Sequence, residues 1–116
     1  MTTLQITLPW PPKELNPNAR QHWTKLARAK KAYRAACAWQ AKAQGARRMD
    51  VDCLHMTITF FLPDRRHRDM DNMLASIKAG LDGLADVLCV NDRTWALTLV
   101  KSDQLGGMVK VEVANG

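Results

Sequence analysis

Leu54-His55-Met56-Thr57-Ile58-Thr59-Phe60-Phe61-Leu62, running into Pro63-Asp64-Arg65-Arg66-His67-Arg68-Asp69-Met70-Asp71-Asn72, is the stretch that decides the fold. Leu54, Met56, Ile58, Phe60 and Leu62 alternate with His55, Thr57 and Thr59, so an extended chain has one apolar and one polar face. That period of two predicts a half-buried strand, and its Ile, Thr and Phe content suits one. Pro63 lacks an amide hydrogen and ends the ladder. Beyond the charged run the period changes. Leu74, Ile77, Leu81, Leu84 and Leu88 recur at three- and four-residue intervals, which predicts a helix over residues 70–87 with one buried face. Gly80 and Gly83 weaken that helix but permit close packing.

Working outward, Leu4, Ile6 and Leu8 alternate with Gln5 and Thr7 as a first strand, which Pro9, Pro11 and Pro12 terminate. Asn16-Pro17-Asn18 predicts a turn. Residues 20–44 are rich in Ala, Lys, Arg and Gln, contain no Gly or Pro, and predict a helix closed by Gly45. Trp23, Leu26, Tyr33 and Cys37 fall on one face of it, and Lys25, Arg28, Lys31 and Lys42 mostly elsewhere. Trp10 and Trp23 are expected in the core, and His55 on the far face of its strand. Downstream, Trp95, Leu97 and Leu99 alternate, as do Val109, Val111 and Val113, with Gly106-Gly107 between them predicting a hairpin turn. The order β-α-β-α-β-β predicts an α+β fold: one two-layer domain over residues 1–116, with two helices packed on a mixed sheet.

The 116 residues carry a formal net charge of +6, which favours a polyanionic partner. The charge is uneven. Residues 1–50 hold ten Lys and Arg against two acids, and residues 51–116 hold seven against nine. The first half therefore reads as the polyanion grip, with Lys25, Arg28 and Lys31 on its helix, and the acids gather in the second half. A solvated helix face is the plainer explanation of the same lysines. Cys37, Cys53 and Cys89 have no zinc-ligand spacing and are expected to be buried thiols in a reducing compartment. No apolar run approaches the ~20 residues of a membrane span, and the first residues lack a signal-peptide pattern. A cytoplasmic protein with no membrane partner is the expectation.

Asp69 and Asp71 follow the basic run directly, and Asp92 stands downstream in Val90-Asn91-Asp92. Carboxylates so clustered repel one another unless a hard cation neutralises them, and Mg²⁺ is the natural one. On a regular helix residues i and i+2 diverge by about 200°, so Asp69 and Asp71 converge only if Asp69 still belongs to the connection. The chain after the second helix is expected to return Asp92 toward the sheet edge where Asp69 left. Three carboxylates then ring one or two metal ions, which activate water and stabilise a leaving oxygen in phosphodiester hydrolysis. Arg65, Arg66 and Arg68 are placed to pair with phosphates, and His67 to contact one. The competing reading is structural: Asp69 and Asp71 cap a helix and Asp92 is a turn residue.

Ile6-Thr7-Leu8-Pro9-Trp10-Pro11-Pro12, the Pro63–Asn72 block and Asn91-Asp92 together resemble the RusA family of Holliday junction resolvases. The resemblance runs from the first strand to about Trp95. It implies a small homodimeric endonuclease, often phage-encoded, that uses Mg²⁺, with Mn²⁺ able to substitute. It also implies paired symmetric nicks in four-way DNA junctions during recombination and repair, leaving 5′-phosphate and 3′-hydroxyl ends. Its metal-binding positions fall on Asp69, Asp71 and Asp92, while Asn91 stands where the family often has an acid. The family's catalytic lysine, one turn beyond the second aspartate, is Ala75 here. Lys78 lies one turn later, within ~20° of Asp71 around the helix but ~10 Å along it. Lys78 either replaces that lysine from a shifted position or pairs with Asp82 at i,i+4. Two rival functions remain open: a non-catalytic, structure-selective DNA-binding protein, and a nuclease for other branched DNA.

Overall fold

The computed structural model describes residues 2–115, except for the side chains of Thr2, Thr3, Asp92 and Asn115. Strand β1 (Thr2–Pro9) leads through a 3-10 turn at Lys13–Leu15 to helix α1 (Trp23–Ala43). Strand β2 (Leu54–Phe61), helix α2 (Met70–Leu88), a 3-10 turn at Asp92–Thr94, strand β3 (Trp95–Lys101) and strand β4 (Met108–Asn115) follow. The sheet order is β1-β4-β2-β3. β2 and β3 run parallel, with Leu54 opposite Trp95 and Phe60 opposite Lys101. β4 runs antiparallel to both β1 and β2, so that Val111 sits between Ile6 and Ile58. This is the expected α+β arrangement of two helices and a mixed sheet.

One expected connection is corrected. Gly106-Gly107 does not close a hairpin, because β2 lies between β3 and β4. The loop instead crosses the C-terminal end of β2. The Ser102 amide donates to the Phe60 carbonyl at 3.0 Å, and the Gly106 and Gly107 amides donate to the Leu62 carbonyl at 2.9 and 3.2 Å. Gly107 takes φ 66°, which a glycine adopts without penalty. Burial decides the order. Val109, Val111 and Val113 are fully buried and need a central strand, whereas Leu97 and Val100 of β3 stay 41% and 39% exposed. A local pattern of two alternating runs about a glycine pair cannot distinguish adjacent strands from strands flanking a third.

The inward side chains of β1, β2 and β4 meet Tyr33, Cys37 and Ala41 of α1 and Met73, Ile77, Leu81, Leu84 and Leu88 of α2 in one core. The helices touch at the two glycines. A Cβ on Gly80 would lie 2.8 Å from Tyr33 Cε2 and 2.9 Å from Cys37 Sγ. On Gly83 it would strike the Arg34 carbonyl oxygen and lie 3.2 Å from the Ala38 amide nitrogen. Backbone cannot swing aside as a side chain can, so Gly83→Ala is expected to cost about 1–3 kcal/mol. Thermal denaturation checks this, and an unchanged Tm would mean that the helices are not held at this separation.

Three burial expectations change. Trp23 is 72% exposed, not core: it opens α1 just after its cap residue His22 and lies tilted against that imidazole at 5.6 Å. Among the cysteines only Cys37 is buried, and burial pushes its thiol up to about 11. Cys53 and Cys89 are exposed: Cys53 precedes the first inward residue of β2, and Cys89 leaves α2 in the left-handed region at φ 58°.

The two sheet edges are finished differently. On β1 the Gln44 side-chain amide accepts from the Thr7 amide and donates to the Thr7 carbonyl, both at 2.7 Å, imitating a neighbouring strand. A register irregularity between Thr2 and Leu4 and the terminal Pro9 blunt that edge further. β3 has neither device, and its first six residues, Trp95 to Val100, carry no charge or proline. No helix among the described residues is long and apolar enough to cross a membrane.

Candidate active site

The connection leaving β2 is folded around Asp64. Its carboxylate accepts from the Arg66 amide at 2.9 Å, from Arg68 Nη1 and Nη2 at 2.7 and 3.3 Å, and from Arg66 Nη2 at 3.4 Å. The Arg68 guanidinium, followed by the Arg66 amide, holds the Asp64 carboxyl well below the usual carboxylate range. Arg68 is further fixed by the Arg66 carbonyl at 3.2 Å and lies 5.7 Å from the centre of the Trp10 ring. Trp10 in turn meets Phe60 edge-to-face at 6.2 Å. Arg68 is thus a partly buried brace between the connection and the segment after β1.

Asp64 is a site residue that no periodicity in the sequence marks. The i,i+4 spacing of Asp64 and Arg68 was its available signal. Its lowered folded-state pKa means that the brace stabilises fully above the unfolded carboxylate's pKa of about 4 and is lost as pH falls through the folded value. Asp64→Asn is therefore expected to flatten the acid limb of the stability–pH curve below about pH 4. Chemical denaturation across that range measures it, and an unchanged acid limb would remove the brace from the account.

Asp69 occupies the N-cap position of α2 with extended φ −77° and ψ 140°, and Asp71 enters the first turn. This is the boundary placement that convergence of the two requires. Although Asp69 stands where a cap belongs, its side chain caps no helix amide; Oδ1 lies 3.1 Å from His67 Nε2. Asp71 Oδ1 accepts from the Asn72 amide at 3.0 Å. Both carboxylates are exposed.

Asp69 opens into a cleft of about 480 Å³. Trp10, Pro11, Pro12, Lys13, Asn16 and Asn18 form one wall, Arg66, His67 and Arg68 the other, and Phe60, Met73 and Ser76 also line it. Asp71 does not line the cleft. Lys78 belongs to a neighbouring cleft of about 460 Å³ between the helices, with Lys30, Lys31, Arg34 and Ala75, and its Nζ is 2.9 Å from Asp82 Oδ1. The i,i+4 pair is therefore present, and the two clefts share Ser76. Arg65, Lys25 and Arg28 are exposed.

Asp92 opens the 3-10 turn before β3, a turn held by the Asn91 carbonyl, which accepts from the Thr94 amide at 3.0 Å and the Thr94 hydroxyl at 2.7 Å. Its side chain lies outside the described residues. The backbone alone corrects one expectation. β2 and β3 are parallel, so the turn at 92–94 lies at the Leu54 end of the sheet, while Asp69 and Asp71 follow the Phe61 end. Asp92 does not return to the end where Asp69 left. A strand–helix–strand crossover must carry the chain back along the length of the sheet before a parallel strand can begin. Among the described residues no three His, Cys, Asp or Glu side chains are grouped to hold a metal ion. Asp69 and Asp71 nevertheless offer the hard oxygen donors that Mg²⁺ prefers, and Mg²⁺ commonly takes only one or two protein carboxylates.

The family model described as endodeoxyribonuclease RusA matches residues 9–114. An uncharacterized protein of Xylella fastidiosa (strain Temecula1 / ATCC 700964) is 42% identical over 93 residues, covering 78% of this chain and 61% of the relative. The chain thus matches less than two thirds of that relative's length. With nearly its whole described length covered by the family model, the chain belongs to the RusA endodeoxyribonuclease family.

Proposed function

We propose that the protein is a Mg²⁺-dependent endodeoxyribonuclease that resolves four-way DNA junctions as a homodimer. The observation carrying this reading is the Asp69 carboxylate: it stands at a helix N-cap, declines the cap, and opens into a cleft walled by Lys13, Arg66, His67 and Arg68. Asp69 and Asp71 would hold the metal, with Asp92 as the third carboxylate. Mg²⁺, or Mn²⁺ in its place, would supply Lewis-acid stabilisation of the phosphodiester and an acidified attacking water. Arg66 and His67 line the strand's path into the cleft, and Arg65, with Lys25, Arg28 and Lys31 on α1, offers phosphate contacts beyond it. Arg68, already committed to Asp64, positions that wall rather than lending a spare charge. Lys78 would steady a phosphate one cleft away. Paired nicks on opposed strands would leave 5′-phosphate and 3′-hydroxyl ends.

A second reading has an observation of its own. The lysine expected one turn beyond Asp71 is Ala75, and Lys78 is engaged with Asp82, which favours a structure-selective DNA-binding protein without catalysis. The experiment is cleavage of an end-labelled synthetic four-way junction beside linear duplex and flap DNA, at fixed salt, with Mg²⁺ and with chelator. Symmetric Mg²⁺-dependent incision confined to the junction is expected. Tight binding with no incision would replace the enzyme by the binding protein, and equal incision of flaps would replace the resolvase by a broader nuclease.

A further inference from the structure

We propose that the second cleft, between α1 and α2, receives a terminal phosphate monoester: the 5′-phosphate end of a nicked DNA strand, held by Lys30 and Lys31. The proposal rests on the nuclease reading only for where that end comes from; the cleft stands on its own charges.

The charges come first. Lys30, Lys31 and Arg34 of α1 and Lys78 of α2 line a cleft of about 460 Å³ whose lining includes one carboxylate, Asp82. Arg34 and Lys78 are already matched: Arg34 Nη2 lies 2.7 Å from Asp86 Oδ1, and Lys78 Nζ lies 2.9 Å from Asp82 Oδ1. No ion pair among the described residues engages Lys30 or Lys31. Helix α1 itself carries no Asp or Glu. Two ammonium groups therefore line one space with no carboxylate left to answer them, and they repel each other until a ligand brings negative charge.

The size of the missing charge selects the ligand. A phosphodiester inside a strand carries a single negative charge, whereas a phosphate monoester carries about −1.5 to −2 at pH 7 and presents three acceptor oxygens. Two lysines match the monoester, and an internal phosphodiester would leave half of their charge unanswered. The rest of the lining agrees. Leu15, Ala75 and Ala79 are apolar, and the two alanines, one turn apart on α2, are small enough to admit the sugar behind the phosphate.

The cleft also adjoins the place where such an end is made. It meets the cleft of Asp69 at Ser76, which lines both and whose hydroxyl donates to the Asn72 carbonyl at 2.8 Å. In the hydrolysis the oxygen of water joins phosphorus and the P–O3′ bond breaks. The 3′ oxygen leaves with one of the water's protons, and the other passes to solvent as the new monoester ionises. The phosphate thus gains charge as it is cut, one cleft away from two unmatched lysines, and moves past Ser76 toward them. Capture there holds the nicked strand in place while the opposed strand is cut.

Binding of nicked duplex tests this, with the nick ending in 5′-phosphate or in 5′-hydroxyl and chelator present, so that nothing is cut and no metal holds the phosphate elsewhere. The wild-type protein should prefer the 5′-phosphate by about tenfold, the worth of one or two ion pairs. Lys30→Gln made with Lys31→Gln should erase that preference. Lys25→Gln made with Arg28→Gln removes as much charge from α1 outside the cleft, and should weaken both nicks alike while keeping their ratio. Equal wild-type affinity for the two nicks would overturn the proposal, as would a preference that survives loss of Lys30 and Lys31 or disappears with Lys25 and Arg28. A short 5′-phosphorylated oligonucleotide should displace the phosphorylated nick far better than inorganic phosphate does, and equal displacement would make the cleft a site for the free ion and not for a strand end. Junction cleavage is read separately. A wild-type protein that cuts without the preference keeps the nuclease reading and loses the cleft, and one that shows the preference without cutting does the reverse.

Discussion

Asp71→Asn is expected to lower Mg²⁺-dependent junction cleavage by about 10³-fold or more while leaving junction binding equal to wild type or tighter. The substitution keeps shape and removes one negative charge. Electrostatic support of a developing phosphorane charge by a held metal amounts to several kcal/mol, which at ~1.4 kcal/mol per decade yields at least that loss. The same charge repels the DNA backbone in the ground state, so its removal favours binding. The two effects have opposite signs, which separates a metal ligand from a residue that merely shapes the helix terminus. Gel-shift titration beside single-turnover cleavage measures both. A variant that cleaves at the wild-type rate would take Asp71 out of the site, and one that loses binding and cleavage together would make it a structural residue.

Phe60→Ala should produce the largest loss of stability, about 3–5 kcal/mol. Phe60 is fully buried on β2, and its ring is the surface against which Trp10 stands edge-on. Truncation removes the transferred apolar area and leaves a cavity that a central strand, hydrogen-bonded on both sides, cannot collapse to fill. For a domain whose total stability is on the order of 5–15 kcal/mol, that is a large share. The loss should also reach the cleft, because Trp10 positions Arg68 and Arg68 is held by Asp64. Urea denaturation monitored by tryptophan fluorescence would show the midpoint fall. Phe60→Leu, which refills most of the volume, should recover much of it. A small loss in Phe60→Ala would mean that the surrounding side chains close the cavity freely.

Much of this architecture could be read from residue order alone, for a definite reason. Side-chain period reports which face of an element is buried, and it identified β1, β2, α2 and β4 to within a few residues. The boundary at Asp69 was readable too, since Pro63 ends the strand and Leu74 begins the buried face. Period does not report which strands are neighbours. The Gly106-Gly107 hairpin gives way because β2 lies between β3 and β4, and the return of Asp92 to Asp69 gives way because β3 runs parallel to β2. Trp23 and the two outer cysteines show a further limit: at the end of an element, hydrophobic character does not say whether anything stands opposite. Asp64 was overlooked because its partners are set by the path of the connection, which no period describes.

The position of β4 has a consequence for how the molecule comes into being. Gln5 and Glu112 are hydrogen-bonded neighbours 107 residues apart in the chain. β1 touches the rest of the sheet only through β4, and β4 is the last of the described elements to be synthesised. While it is still inside the ribosome, β1 has no strand to join, and β2 has only one neighbouring strand. The sheet therefore closes in a single late step, on the slow side for a domain of this size because so distant a contact must form. Until then β2 and β3 each expose an unpaired edge at once. Newly made chains should depend on chaperones that shield apolar strands, and a truncation within β4 should cost the whole sheet rather than one strand.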